Sequence, residues 1–199
     1  KEQETTEMST IELSMEKVKS LPVLLGERDI IKTAQLLPGI QSGSEGSSGI
    51  YVRGGGPDQN LILLDGVPIY NANHLFGFFS VFNADAINQV KLVKGGFPAE
   101  YGGRLSSVID IRMNEGDMKK IHGEGSVGIL SSKLMLEGPI RKDKTSFAIS
   151  GRRTYIDALA YPFIKSMGDG EIVGYFFQDL NAKINHKFSE KSKLYLSGY

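Results

Sequence analysis

The sequence contains no cysteine among its 199 residues, which excludes disulfides, thiol catalysis and thiolate metal sites together. It also lacks an excess of charge of either sign, because 23 basic residues balance 23 acidic ones, and this argues against a nucleic-acid partner. No apolar run approaches the ~20 residues of a membrane-spanning helix. The opening residues KEQETTE are too highly charged for a signal peptide, so we expect any leader to have been removed ahead of Lys1.

No set of residues in the sequence predicts an enzyme or a cofactor site. The three histidines, His74, His122 and His186, are far apart and lack the spacing of metal ligands, so no metal site is predicted. No serine, histidine and acidic residue form a recognisable triad pattern. Gly54–Gly56 precedes a strand pattern and lacks the Gly-Lys-Ser/Thr of a phosphate loop, so we interpret it as a hairpin turn.

Glycine, by contrast, is abundant, with 24 residues concentrated where many tight turns are needed. Between these turns, apolar spacing predicts a helix over Glu27–Leu37, ended by Pro38-Gly39. The polar stretch Gln41–Gly49 is predicted to be a mobile loop, and Asp65-Gly66 a second tight turn. Strands are predicted at Thr10–Ser14, Ile50–Arg53, Leu61–Asp65, Gln89–Lys94 and Val108–Met113. Together these elements predict an α+β fold, a small mixed sheet with short helices and the apolar Leu61–Leu64 in its interior.

The pattern changes after residue 117, where long segments alternate between apolar and polar residues. These segments are Gly123–Gly138, Thr145–Tyr155, Tyr175–Phe188 and Lys193–Tyr199. They are joined by short links at 141–144 and 189–192 and by a longer one at 158–174. Antiparallel strands of about ten alternating residues joined in this way are typical of an outer-membrane β-barrel. Soluble antiparallel sheets also alternate, but here the polar face is too hydrophilic for a packed core, which favours the barrel.

Several motifs, taken in order, resemble the plug domain of TonB-dependent outer-membrane receptors. The central segment, residues 49–68, contains VRG, a turn and then LLDGVP. It is bracketed by LLPGIQSG at Leu36–Gly43, NHLFGFFSVFN at Asn73–Asn83 and KGGFPAEYGGRLSSVIDI at Lys94–Ile111. These motifs are most similar to those of receptors of the SusC/RagA type and their relatives. This resemblance implies a plug domain over residues 1–117 and the first strands of a truncated transmembrane β-barrel over 118–199, because a plugged transporter barrel has about 22 strands.

The resemblance also implies two ligand-contacting loops, one before the VRG strand and one after LDGVP. Carried over to this sequence, their residues are Ser44, Glu45, Ser47, Ser48, Tyr70, Asn71, Asn73, His74 and Phe76. Aromatic and amide side chains suit sugars or other polar, partly flat ligands, and the alternative is that these loops only pack against the barrel wall. Arg53 and Lys94 correspond to basic positions that pair with acidic residues of the inner barrel wall. Lys94 stands where many relatives have arginine, so a bidentate pair is lost there.

By resemblance, the chain is the plug, or gate, of a bacterial outer-membrane receptor that imports a scarce nutrient. The implied partners are the receptor's own barrel and a TonB-type periplasmic energy-coupling protein, which would grip a box upstream of Lys1. A surface lipoprotein is a further partner to test for. The ligand class stays open, since relatives use glycans, peptides, siderophores and corrinoids. The alternative is a soluble β-rich binding or structural module, which the sequence beyond Tyr199 would distinguish by the absence of many further alternating segments.

Overall fold

A computed structural model describes residues 10–15, 18, 28–43, 49–74, 77, 79–166 and 175–199. These residues form two compact units, the first containing those up to Met113 and the second running from Asn114 to Tyr199. The first unit contains, in chain order, β1 (Thr10–Ser14), α1 (Ile30–Gln35), β2 (Ile40–Ser42), β3 (Ile50–Val52), β4 (Asn60–Leu64), β5 (Val67–Pro68), β6 (Asn73–His74), β7 (Phe79–Ser80), β8 (Ile87–Val93) and β9 (Ser107–Met113). The second contains β10 (His122–Val127), β11 (Ser131–Arg141), β12 (Thr145–Thr154), α2 (Ile156–Ser166), β13 (Gln178–Ser189) and β14 (Ser192–Gly198).

The first unit is built on a five-stranded mixed sheet in the order β1-β8-β9-β4-β5. Only the β4–β9 pair of this sheet is parallel, and its other pairs are antiparallel. Strand β4 is covered on both faces: Leu64 belongs to the main apolar core, whereas Leu63 packs with Val93 and Val108 in a second cluster. The predicted mixed sheet with an interior apolar strand is therefore confirmed.

Helix α1 forms because its apolar residues share one face and its first turn is capped. Ile30, Ile31 and Ala34 are all at most 1% exposed and lie in the main core. The Asp29 carboxylate accepts hydrogen bonds from the amides of Ile31 (2.8 Å) and Lys32 (3.2 Å), which satisfies helix donors that have no partner within the helix. The predicted helix is confirmed, but it is shorter than predicted: it begins at Ile30, after the extended Asp29 cap, and ends at Gln35, and Glu27 lies outside the described residues.

The interpretation of Gly54–Gly56 as a hairpin turn between adjacent strands is wrong. Strand β3 pairs with β2, not with β4, so Gln41 and Ser42, which were predicted to be part of a loop, are strand residues. A 3-10 turn at Pro57–Gln59 lengthens the connection beyond what a tight hairpin allows. Strand β4 is then free to pair in parallel with β9. Residues 44–48 of the predicted mobile loop lie outside the described residues.

The second unit is an antiparallel sheet in which β10, β11, β12, β13 and β14 are neighbours in sequence order. The single strand predicted for Gly123–Gly138 is wrong: it is two strands, since a tight turn closed by the Gly128 amide donating to the Ser131 carbonyl (2.8 Å) reverses the chain. The long link before β13 contains α2. None of the helices among the described residues is long and apolar enough to cross a membrane.

The second sheet exposes its apolar face and buries its polar face. Along β13, Leu180 and Ile184 are 65% and 45% exposed, whereas Asn181 and Asn185 are 3% and 1% exposed. The buried face also holds the ion pair between Arg152 and Asp179, joined at 2.8 Å from Nε to Oδ2. A soluble antiparallel sheet buries its apolar face, so this alternation is inverted relative to that of a water-soluble domain.

Candidate functional site

A cavity of about 190 Å³ opens on the first unit where α1, β3, β4 and the segment after β5 meet. Its walls come from four parts of the chain and are formed by Ile31, Gly49, Ile50, Pro57, Asp58, Asn60, Ile62, Tyr70, Asn71, Ala72 and Asn73. The cavity therefore brings together Tyr70, Asn71 and Asn73, three of the residues predicted to contact a ligand. Its volume is below that of a site for a whole drug-sized ligand, so it suits one group of a larger molecule.

A tight turn directs the Tyr70–Asn73 segment to the cavity. Asp65 and Gly66 have φ values of 49° and 84°, which is the geometry of a type I′ hairpin turn, and β5 returns along β4. The Ile69 amide then donates to the Ile62 carbonyl at 2.9 Å, which extends this pairing towards the start of β4. The segment after Ile69 consequently lies beside the first residues of β4, where the cavity opens.

The buried Asn60 holds the floor of the cavity. Its Nδ2 donates to the Ile50 carbonyl at 2.7 Å, and its Oδ1 accepts from the Ser107 hydroxyl at 2.7 Å. These bonds connect β3, β4 and β9, although β3 belongs to a different sheet. The role of Asn60 was not predicted; the only sequence signal is a single amide at the start of an apolar strand.

Asp29 connects α1 to the β6–β7 pair that follows the cavity. Besides capping the helix, its Oδ2 accepts from the Ser80 amide at 2.7 Å. At the other end of the helix, Gln35 Nε2 donates to the Gly49 carbonyl at 2.9 Å. Because Ile31 of this helix and Gly49 both line the cavity, the bond joins the wall formed by the helix to the wall formed by Gly49. Neither Asp29 nor Gln35 was recognised from the sequence, since each partner lies on a distant segment.

The lining combines one aromatic ring, several amides and one carboxylate. Tyr70 is 88% exposed, so its ring is presented to the exterior of the unit. Asn71 Oδ1 accepts from the main-chain amide of Asn73 at 3.3 Å, a local turn that orients the Asn71 side chain. None of the lining residues is a lysine or arginine. The site can therefore stack on and hydrogen-bond to a polar group, and it has no side-chain cation for an anion.

Of the other predicted ligand residues, the structure describes only His74. His74 lies in β6, next to Asn73, but does not line the cavity. The remaining five, Ser44, Glu45, Ser47, Ser48 and Phe76, lie outside the described residues. No cluster of three or more potential metal-ligating side chains occurs within the described part of the chain.

The two basic residues predicted to anchor the plug converge on one turn. Lys94 Nζ donates to the Pro38 carbonyl at 2.6 Å, and the Arg53 amide donates to the Gly39 carbonyl at 3.3 Å. A side chain at Gly95 would lie 3.3 Å from Arg53 Nη1, so this guanidinium also lies close to the residue after Lys94. The Lys94 ammonium group and the Arg53 main chain thus lie beside the Pro38-Gly39 turn, which joins α1 to β2, and the Arg53 guanidinium lies close to Gly95.

Comparison with known proteins identifies the family. Residues 3–108 match the family model described as the TonB-dependent Receptor Plug Domain, which is more than half of the chain. The chain therefore belongs to the TonB-dependent receptor plug family.

Two curated relatives of the chain are a transporter and a probable receptor. The chain is 28% identical over 181 residues to the vitamin B12 transporter BtuB of Vibrio vulnificus, covering 86% of this chain and 28% of that protein. It is 26% identical over 189 residues to the probable TonB-dependent siderophore receptor PirA of Acinetobacter baumannii, covering 78% of this chain and 24% of that protein. The chain thus spans under a third of the length of these relatives.

A solved structure shows that the fold extends beyond the family match. The crystal structure of the siderophore receptor PirA from Acinetobacter baumannii superposes with a TM-score of 0.66 at 23% identity. The superposition covers 96% of this chain and 31% of that receptor. The fold of both units, and not only of the plug, is accordingly that of a TonB-dependent receptor.

Proposed function

We propose that this chain is the plug and the first barrel strands of a bacterial outer-membrane receptor for energy-coupled nutrient uptake. The observation that carries this proposal is the family match over residues 3–108. We assign residues 1–117 to the plug, which closes the pore, and 118–199 to strands of the surrounding barrel. The relatives are receptors and transporters, which supports a transport role and not an enzymatic one.

The inverted burial of the second sheet supports a membrane location. A barrel strand turns apolar residues to lipid and polar residues to the lumen, with a period of two. Leu180 and Ile184 are exposed while the side chains of Asn181 and Asn185 between and beyond them are buried, as that arrangement requires. The alternative, a soluble β-rich module, would bury the apolar face of this sheet and expose the polar face, which is the opposite of the observed arrangement.

For the ligand, the cavity beside Tyr70, Asn71 and Asn73 is the candidate contact site. A ring flanked by amides suits a flat or polar cargo group through stacking and hydrogen bonding. Residues Ser44, Glu45, Ser47, Ser48, His74 and Phe76 complete the proposed contact set. Gly49, which directly follows the first proposed loop, lines the same cavity and supports grouping the two loops.

Arg53 and Lys94 are the proposed anchors of the plug to the inner barrel wall. Both residues contact the Pro38-Gly39 turn, and the Arg53 guanidinium lies beside Gly95, next to Lys94, so the two cations would favour a carboxylate on the facing wall. The proposed energy source is a TonB-type periplasmic protein that binds a box upstream of Lys1, and a surface lipoprotein is a second partner to test for.

Uptake in cells tests the proposal. The panel should contain a corrinoid, ferric siderophores, glycans and peptides, because the cargo class is open. We expect a strain without this receptor and a strain without the energy-coupling protein to lose uptake of the same cargo, and the receptor to fractionate with the outer membrane. A receptor found in another compartment, with uptake of the whole panel unchanged by its deletion, would contradict the proposal.

A further inference from the structure

The segment that begins the second unit, Asn114–Met118, lies across the buried polar face of the sheet. Its main chain is held at two points: the Ser146 hydroxyl donates to the Glu115 carbonyl at 2.7 Å, and the Asp143 amide donates to the Met118 carbonyl at 3.1 Å. Ser146 is fully buried. The segment is therefore fixed to β12 and to the turn before it, not merely adjacent to them.

The Glu115 side chain extends the attachment to two further strands. Its Oε2 accepts from Asn185 Nδ2 of β13 at 3.2 Å and from Lys193 Nζ of β14 at 3.4 Å. The Glu115 and Lys193 side chains are each 49% exposed, so this ion pair alone is weak. The attachment as a whole is strong because it is distributed over three strands. If the segment is pulled along the sheet, its contacts to all three strands must break together.

Gly116 adds a close backbone contact between this segment and β12. Its φ is +79°, and a Cβ there would lie 2.3 Å from the Phe147 carbonyl oxygen, so the glycine backbone sits directly on β12. Gly103 has nearly the same φ of +81° with nothing within 4 Å of its Cβ position. At Gly116 both the backbone conformation and the close approach require glycine, whereas at Gly103 only the conformation does.

We propose that Glu115 and Gly116 form a mechanical anchor that stops force-driven unfolding of the plug at the boundary between the two units. The proposal rests on the function proposed above, in which the chain is pulled from its N-terminal side. Under such a load the edge strand β1, with one partner in the sheet, detaches before the central strand β9. The anchor begins two residues after β9 ends at Met113, so it keeps the chain that follows β9 attached to the second sheet while the strands before it extend.

Single-molecule pulling on the intact receptor in a lipid bilayer, from its N-terminus, tests the anchor. In the wild-type receptor we expect the first unit to extend up to Met113 and the chain then to resist. In the Glu115→Ala/Ser146→Ala variant, residues 114–121 should come free before β10, and eight residues at 3.3–3.6 Å each add about 25–30 Å of contour length at a lower force. Glu124→Ala/Ser126→Ala, an exposed Glu and Ser pair on β10, is the matched control.

A glycine pair provides a second comparison. Gly116→Ala should release the same extra length, whereas Gly103→Ala should behave as wild type in this final step. If Gly116→Ala fails to assemble, the Glu115→Ala/Ser146→Ala variant decides alone. Equal final lengths and forces in wild type, Glu115→Ala/Ser146→Ala and its control would overturn the anchor. The readout needs no cargo, so this failure is distinguishable from a loss of uptake, which would contradict the transport function itself.

Discussion

Asp65 connects the C-terminal ends of β4 and β9, the parallel strand pair of the first unit. Its φ of 49° starts the turn after β4, and its buried Oδ1 accepts from the Met113 amide at 3.1 Å, at the end of β9. Its own amide donates to the Ile111 carbonyl at 2.8 Å. A single residue thus forms the turn that leads to the cavity and holds Met113, the last residue of the first unit.

Asp65→Ala should destabilise the end of β9. The substitution leaves the Met113 amide without its acceptor, which costs about 1–3 kcal/mol, and puts alanine in a left-handed conformation. Hydrogen exchange of the Met113 amide in the intact receptor measures the effect as faster exchange. Asp65→Asn keeps the Oδ1 acceptor and tolerates this φ, so it should stay close to wild type. Equal protection in wild type and Asp65→Ala would refute the role of the carboxylate.

Leu63→Asp should disrupt the plug sheet. Leu63 is 7% exposed and packs with Val93 and Val108, so the change removes apolar burial and introduces a carboxylate without a partner. We expect a loss of at least about 3 kcal/mol, seen as rapid hydrogen exchange throughout β4 and β9. Leu105→Asp, at a leucine that is 84% exposed in the same unit, is the control and should exchange as wild type does. Wild-type protection in Leu63→Asp would show that β4 is not an interior strand.

At the scale of residues, apolar burial could be predicted and polar partnerships could not. The helix face of Ile30, Ile31 and Ala34 follows from spacing alone. The bonds of Asp29 to Ser80 and of Asn60 to Ser107 span 51 and 47 residues, and nothing local to either side chain indicates the partner. Such pairs follow from strand order, which is decided by the whole sheet.

At the scale of elements, the sequence predicted most strands in type and position but not all their partners. The turn at Asp65-Gly66 was read correctly because its two residues fit a type I′ hairpin. The turn at Gly54–Gly56 was misread because glycine marks a bend without saying which strand follows it in space. The break between β10 and β11 at Gly128 was not predicted, because apolar and polar residues continue to alternate on both sides of it.

The cavity predicts the effect of two substitutions on cargo binding. Tyr70→Ala removes the exposed ring and Asn73→Ala removes a lining amide, and each should raise the Kd of the intact receptor for its cargo by about tenfold, equivalent to roughly 1.4 kcal/mol. Calorimetric titration with the cargo identified by uptake measures this change. Val67→Ala, on β5 and outside the cavity, should leave the Kd unchanged. Unaltered Kd values for both lining variants would assign this segment to packing.

At the scale of the whole molecule, family and architecture could be predicted because several motifs occur in the family's order. The cargo could not, since the cavity of about 190 Å³ contacts only part of a ligand and no lining residue is diagnostic of one chemistry. The barrel interpretation also predicts the phase of the second sheet: along β13 the polar residues Asp179, Asn181, Lys183 and Asn185 are buried, whereas Leu180, Ile184 and Phe188 are exposed.

Lipid contact along β12 tests the central claim, that this chain combines a receptor plug with membrane-spanning strands, most directly. Ala148, Ile149 and Ser150 are consecutive, with exposures of 5%, 45% and 2%. The 199 residues contain no cysteine, so single Ala148→Cys, Ile149→Cys and Ser150→Cys variants of the intact receptor can each carry one fluorophore at a chosen position of this segment. In bilayers containing brominated lipid, the account predicts strong quenching at position 149 and little at 148 and 150. Equal quenching at all three positions, or quenching at 148 and 150 only, would contradict it.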